Sequence, residues 1–333
     1  MRWLTLTLVL ALPGTLAAQD HADTISAVLD EIVLPGYATL TAETAAFAAA
    51  AEAECAPTSE PLRAAYNDAF DAWIAVSHFR FGPAETDNRG FALAFWPDSR
   101  GATPRTLSEL IDGQDPVIDT AEEFATVSVA ARGFYAMEFL LYDEATAAAA
   151  TSDYGCALIR RVASDIAATA ETIEADWLET HADLMRTAGA NETYTSTEDA
   201  MRALFGALVE GLEATVDLRL GRPLGTFDRP RPRRAEVWRS GRSLRHVQIV
   251  LRDLGALAEA LQPGNPEVQA ALTRAQEAAA ALDDPIFAGV ADPGGRIRVE
   301  ALQVRVADVL DAVRTEIGPA LGVSAGFNSL DGD

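Results

Sequence analysis

From about residue 24 to residue 317, apolar side chains recur three and four positions apart, and no stretch alternates apolar with polar between hairpin turns. A period near 3.6 collects such residues on one face of a helix, whereas a half-buried strand needs a period of two. Leu62, Tyr66, Ala69, Phe70, Trp73, Val76 and Ser77 form one such face, and Ser59 with Pro61 supplies a helix start. Thr120 and Glu123 have capping-box spacing and predict a helix running to about Tyr142. Further helices are expected near 24–53, 153–188, 197–219, 235–262, 265–282 and 297–317. The fold class is therefore all-α.

At 333 residues the chain exceeds the usual size of one domain, which points to two packed helical-bundle halves. Gly221, Pro223, Gly225, Pro230 and Pro232 make 220–234 a connector, dividing the chain into parts 18–220 and 221–333. Residues 80–104 read as a long loop, yet Phe91, Phe95 and Trp96 within it argue against disorder. Loops of that length in compact domains tend to be functional. The alanine-rich stretch 144–151 reads equally as loop or frayed helix.

Residues 1–17 have the three parts of an export signal: Arg2, an apolar run from Leu4 to Leu12, and Thr15-Leu16-Ala17 as the cleavage pattern. That run is too short for a permanent span, and no later segment reads as long and apolar enough. The chain is thus expected in the periplasm, neither membrane-spanning nor lipid-anchored. Removing residues 1–17 takes away Arg2 and no acid, which moves the formal charge from −24 to −25. So acidic a surface disfavours nucleic acid and anionic membranes. All 26 basic residues are arginine. Cys55 and Cys156 are the two cysteines, and in an exported chain they point to a disulfide.

Chemistry is concentrated in few places. None of His21, His78, His181 and His246 stands in a His-Glu-x-x-His arrangement. His78 and His181 read as polar edges of amphipathic helices as readily as ligands. Glu138 lies inside the apolar run Phe134–Leu141, where an unpaired carboxylate is costly to bury. It must be paired, protonated or bound to a metal, and Tyr135 shares its helical face. Gly133 inside a helix implies close approach of another element. Ten arginines fall between Arg219 and Arg252, and Arg239, Arg242 and Arg245 step by three beside Ser240 and His246. They could grip an anion such as a metal chelate through bidentate hydrogen bonds, or pair with acids that dock the two halves.

Gly133-x-Tyr135-x-x-Glu138 resembles the Gly-x-His-x-x-Glu motif of imelysin-like proteins, with tyrosine in place of histidine. That family includes an insulin-cleaving metallopeptidase and iron-regulated periplasmic proteins. Trp73 with Phe79-Arg80-Phe81-Gly82-Pro83 and Phe95-Trp96-Pro97-Asp98 is similar to its N-terminal signature. Trp238-Arg239-Ser240-Gly241-Arg242-Ser243-Leu244-Arg245 and the ending Gly326–Asp333 match two further segments. The resemblance implies two helical-bundle parts with a site between them, export to the periplasm and a link to iron uptake. It makes Glu138 and Tyr135 candidate metal ligands, with Arg80, Asp98, Arg239, Ser240, Arg242 and His246 around the same site. Asp87 and Glu85 are further oxygen donors. Phenol is a poor ligand for zinc, while ferric iron accepts hard oxygen donors, so iron is the expected ion and zinc the alternative. The expected function is non-catalytic iron binding or uptake, with a metal ion or metal chelate as ligand. Other periplasmic or inner-membrane iron-uptake components are the expected protein partners. Two other readings stand beside it: a metallopeptidase recruiting a histidine such as His246, and a metal-free module binding a small ligand or peptide.

Overall fold

The computed structural model describes residues 14–323, with side chains from residue 21. The expected export segment lies largely outside the described residues, as does the 326–333 ending. The helices are α1 (Gly14–Val28), α2 (Leu34–Ala53), α3 (Glu60–Val76), α4 (Arg89–Leu93), α5 (Ala102–Gly113) and α6 (Ala121–Phe124). They continue with α7 (Gly133–Tyr142), α8 (Glu144–Ala149), α9 (Asp153–Asp176), α10 (Ala182–Arg186), α11 (Thr197–Ala214) and α12 (Arg222–Leu224). The last four are α13 (Ser243–Leu261), α14 (Pro266–Ala281), α15 (Pro293–Ala312) and α16 (Gly318–Leu321). There is no strand among the described residues, and the fold is all-α.

Local chemistry explains where the main helices begin. Ser59 accepts the Leu62 N–H and Pro61 sits in the first turn of α3. Ser152 accepts from Gly155 at the start of α9, and Ser196 with Asp199 closes a capping box on α11. Leu62, Tyr66, Ala69, Phe70, Trp73 and Val76 are buried on α3, while Ser77 caps its C-terminal end. α2 packs along α3 and α9, and α7 lies against α9. α13, α14 and α15 form a second group, joined to the first where α13 crosses α3.

Packing groups the helices differently from the chain order expected. α11 contacts α13, α15 and α1. Its helical run continues through the π-helical turn Thr215–Gly221 into α12, so residue 220 falls inside a continuous helix. The irregular connector starts only after Leu224, where Gly225 has φ +56°.

Other expectations need correction. Thr120 caps a helix as predicted, but that helix ends at Phe124, and α7 starts afresh at Gly133 with φ +72°. A Cβ at Gly133 would lie 2.3 Å from the carbonyl oxygens of Ala92 and Leu93, so the glycine permits a close approach at a helix start rather than inside a helix. The helix expected from 235 begins only at Ser243, because Val237 (φ +45°) and Gly241 (φ +79°) fold 235–242 into a turn. Arg239, Arg242 and Arg245 therefore do not line one helix. The continuous helical run His21–Ala53 does have the length and apolarity of a membrane span, contrary to the sequence reading. Its Ile25, Val28, Leu29, Val33, Tyr37, Leu40 and Phe47 are fully buried in the core. Much of the remaining apolar character comes from alanines of α2 that carry little area each.

Candidate functional site

α7 is buried almost throughout and presents the motif to two neighbours. Phe134 stacks on Phe70 at 4.6 Å, and its carbonyl accepts the Tyr66 hydroxyl at 3.1 Å. These contacts fix the helix rotation and send Tyr135 and Glu138 toward residues 235–240. Tyr135 lies between Phe70, edge-on at 5.2 Å, and Trp96, stacked at 6.0 Å.

The Tyr135 hydroxyl donates a hydrogen bond to Glu236 Oε1. Glu236 Oε2 accepts Arg219 Nε at 2.9 Å, and His246 Nδ1 lies 3.2 Å away, poorly aligned for a hydrogen bond. Glu236 is 1% exposed and His246 fully buried. Burial pushes the Glu236 carboxyl up, but Arg219, His246 and the Tyr135 hydroxyl outweigh it and hold it at about 2. Burial and the Glu236 charge drive the Tyr135 phenol well above its ordinary range. Its proton is thus committed to Glu236.

Glu138, 3% exposed, has different partners. Its Oε1 accepts the Ser240 backbone N–H at 3.0 Å and faces Ser240 Oγ at 3.1 Å. Ser240 Oγ also lies 3.0 Å from the Val237 carbonyl oxygen. One hydroxyl has one proton to give. It points to Glu138 when that carboxylate is ionised and to Val237 when Glu138 is protonated and itself donates. Burial pushes Glu138 up to about 7, with Ser240 and Arg239 opposing the rise.

Tyr135 and Glu138 line a cleft of about 230 Å³ between α7, residues 95–104 and the connector. Trp96, Phe139 and Trp238 supply aromatic walls, and Arg222, Arg233, Arg234 and Arg239 supply charge. Arg239 lies 3.8 Å from the Phe139 ring centroid and pairs with Asp143 at 3.0 Å. Arg222 and Arg233 lie 5.6 Å from the rings of Trp96 and Trp238. A smaller cavity of about 90 Å³, behind Trp96 and Tyr135, is lined by His78, Arg80, Glu85, Arg219 and Glu236. Burial and the Arg219 charge push His78 down to about 3, so its imidazole is neutral.

The other expected site residues are divided between roles. Ser240 and Arg239 join the cleft through Glu138. Asp98 lines it too, but its carboxylate accepts the N–H groups of Arg100, Ala102 and Thr103 and caps α5. Arg242 and Arg245 both pair with Asp71 on α3, which makes them docking contacts between helix groups. Arg80 is half exposed, 4.0 Å from Glu85, and Asp87 is exposed beside Arg89. His181 bonds the Tyr194 hydroxyl at 2.9 Å, and burial lowers it. Glu138 and Tyr135 have different hydrogen-bond partners: Glu138 Oε1 accepts from Ser240, and the Tyr135 hydroxyl donates to Glu236. Among the described residues no group of three His, Cys, Asp or Glu side chains could hold a metal ion. The sequence reading missed Glu236, and it noted Arg219, Arg222, Arg233 and Arg234 only as members of the arginine-rich stretch 219–252. Glu236 had a signal, a lone carboxylate between Ala235 and Val237 just before the Trp238 segment.

Cys55, beyond α2, and Cys156, in the first turn of α9, are joined as a disulfide with Cα atoms 5.1 Å apart.

Residues 33–313 match the family model Peptidase M75, imelysin. Iron-regulated protein A of Synechococcus elongatus is 24% identical over 324 residues, covering 89% of this chain and 85% of that protein. The crystal structure of an imelysin-like protein from Psychrobacter arcticum superposes with a TM-score of 0.77 at 19% identity, covering 93% of this chain and 98% of the other. A putative iron-regulated protein A precursor from Parabacteroides distasonis gives 0.74 at 14% identity, over 90% and 95%. With the motif helix, the Trp238 turn and the family match spanning most of its length, this chain belongs to the imelysin family.

Proposed function

We propose that this chain is an exported, non-catalytic iron-handling protein that receives its cargo in the cleft beside Glu138 and Tyr135. The observation that carries the reading is that the family motif on α7 and the Trp238 turn, distant in sequence, meet in one cleft with aromatic and charged walls. The relative named iron-regulated protein A supports iron as the cargo. Export to the periplasm accords with the charged-then-apolar start of the sequence.

The metallopeptidase reading fares worse on the same geometry. A hydrolytic metal needs several converging donors and an open position for water or substrate. Tyr135 stands where the family motif has histidine, and His246, the histidine that could replace it, is fully buried against Glu236 and Phe70.

Protein recovered from the periplasm should begin within a few residues of Ala18 and carry iron measurable by mass spectrometry after growth with a ferric chelate. It should not hydrolyse insulin or casein. Chelator-sensitive hydrolysis that disappears in Glu138→Ala would overturn the reading.

A further inference from the structure

We propose that the cleft is an anion site in which Arg222, Arg233 and Arg234 grip the carboxylates of a small polycarboxylate, so that iron enters as that ligand's chelate and not as a bare ion. This deepens the iron reading of the same cleft and rests on it.

The cleft is cationic where a bare metal ion would need it anionic. The chain has 50 acidic residues against 26 basic ones, so a guanidinium in it has acids in excess to pair with. Arg222, Arg233 and Arg234 nonetheless make no ion pair among the described residues. Arg222 is partly buried, its Nε has no hydrogen-bond partner, and its head group lies 5.6 Å from the Trp96 ring centroid. A partly buried, unpartnered donor at a cleft wall is costly unless a ligand completes it. Both arginines line the cleft, and burial and the neighbouring Arg234 charge lower Arg222, so two like charges lie near each other at the cleft wall. An anion seated there relieves that repulsion.

The acidic groups of the cleft do not cancel this charge. Asp98 stays ionised, but it is one charge beside three arginines and its oxygens are turned to the backbone N–H groups of Arg100, Ala102 and Thr103. Tyr135 is a neutral phenol whose proton goes to Glu236. Glu138 has its Oε1 engaged by the Ser240 backbone N–H and hydroxyl.

Carboxylate is the anion that fits best. Planar guanidinium forks match carboxylates in a bidentate manner, and the flat walls of Trp96 and Trp238 hold the forks by cation–π contact. A volume of about 230 Å³ admits a small organic acid carrying its metal, not a folded partner.

The test is calorimetry on the full mature chain at low salt, with four probes: ferric citrate, citrate, inorganic phosphate, and ferrous ion without oxygen. Wild type should bind ferric citrate, and raising the salt should weaken binding. The exposed pair Arg233→Gln/Arg234→Gln should lose about tenfold or more in affinity with unchanged circular dichroism. Arg274→Gln, which removes an exposed charge on α14, should bind as wild type does. Equal binding by the double variant, a salt-independent affinity, or phosphate binding tighter than citrate would overturn the proposal. Ferrous ion bound alone and indifferent to the arginine changes would overturn the anion site and leave the iron reading standing. Citrate bound through the arginines with ferric citrate excluded would leave the anion site standing and contradict the iron reading.

Discussion

Glu138 and Glu236 are both buried carboxylates, yet their neighbours drive them in opposite directions. Glu236 faces Arg219, His246 and a phenol donor, and its ionised form is held down to about 2. Its folded pKa lies below the unfolded one, so it contributes stability above about 4.5 that is lost as the pH falls toward 2. Glu138 has mainly neutral donors, and burial carries it up to about 7. The folded state then holds the proton more tightly than the unfolded chain, and stability declines as the pH rises from about 4.5 through 7. Glu138→Gln keeps the shape and removes the charge. Compared with wild type it should gain about 2–3 kcal/mol on going from pH 5 to pH 8, read by denaturant unfolding. Parallel pH profiles for the two proteins would show that Glu138 is not raised. Glu236→Gln leaves Arg219 as an uncompensated buried charge and should cost about 3–5 kcal/mol at pH 7. A loss below about 1 kcal/mol would mean that solvent reaches the pair and screens it.

Two elements decide whether these residues meet. The start of α7 depends on Gly133, whose positive φ and contact with the carbonyls of Ala92 and Leu93 leave no room for a side chain. Gly133→Ala should destabilise by about 1–3 kcal/mol through overpacking, with further strain from the backbone angle. Because it shifts the helix that carries Tyr135 and Glu138, it should also weaken ligand binding. A variant with wild-type melting and binding would contradict this. The α2–α9 pair is stapled by Cys55–Cys156, 101 residues apart in sequence, and a loop of that length restricts the unfolded chain strongly. Replacing both cysteines with serine should cost about 2–5 kcal/mol without changing helical content. Two free thiols in native protein, seen by alkylation and mass spectrometry, would refute the bridge.

At the scale of the whole molecule, periodicity was enough for the all-α class and for the cores of α3, α9, α11, α14 and α15, because burial on one helical face is a local pattern. It failed where the backbone turns on a single residue. Val237 in the left-handed region carries no sequence signal, so the 235–242 turn read as helix and three arginines read as one stripe. The motif itself was visible, since a carboxylate in the run from Phe134 to Leu141 stands out. Its partners were not, because Arg219, Glu236 and the connector arginines reach α7 only through the packing of distant segments. The charge balance also reads differently in three dimensions: just over half of the described arginines pair with acids, while Arg222, Arg233 and Arg234 lie together without an ion pair at one cleft. That concentration, on a chain of net charge −24, makes the cleft the proposed seat of the cargo. Crystals equilibrated with ferric citrate and measured at the iron absorption edge test it most directly. An anomalous peak is expected in the cleft bounded by Trp96, Glu138 and Arg233; an iron peak at any other place, or none at saturating ligand, would rule that site out.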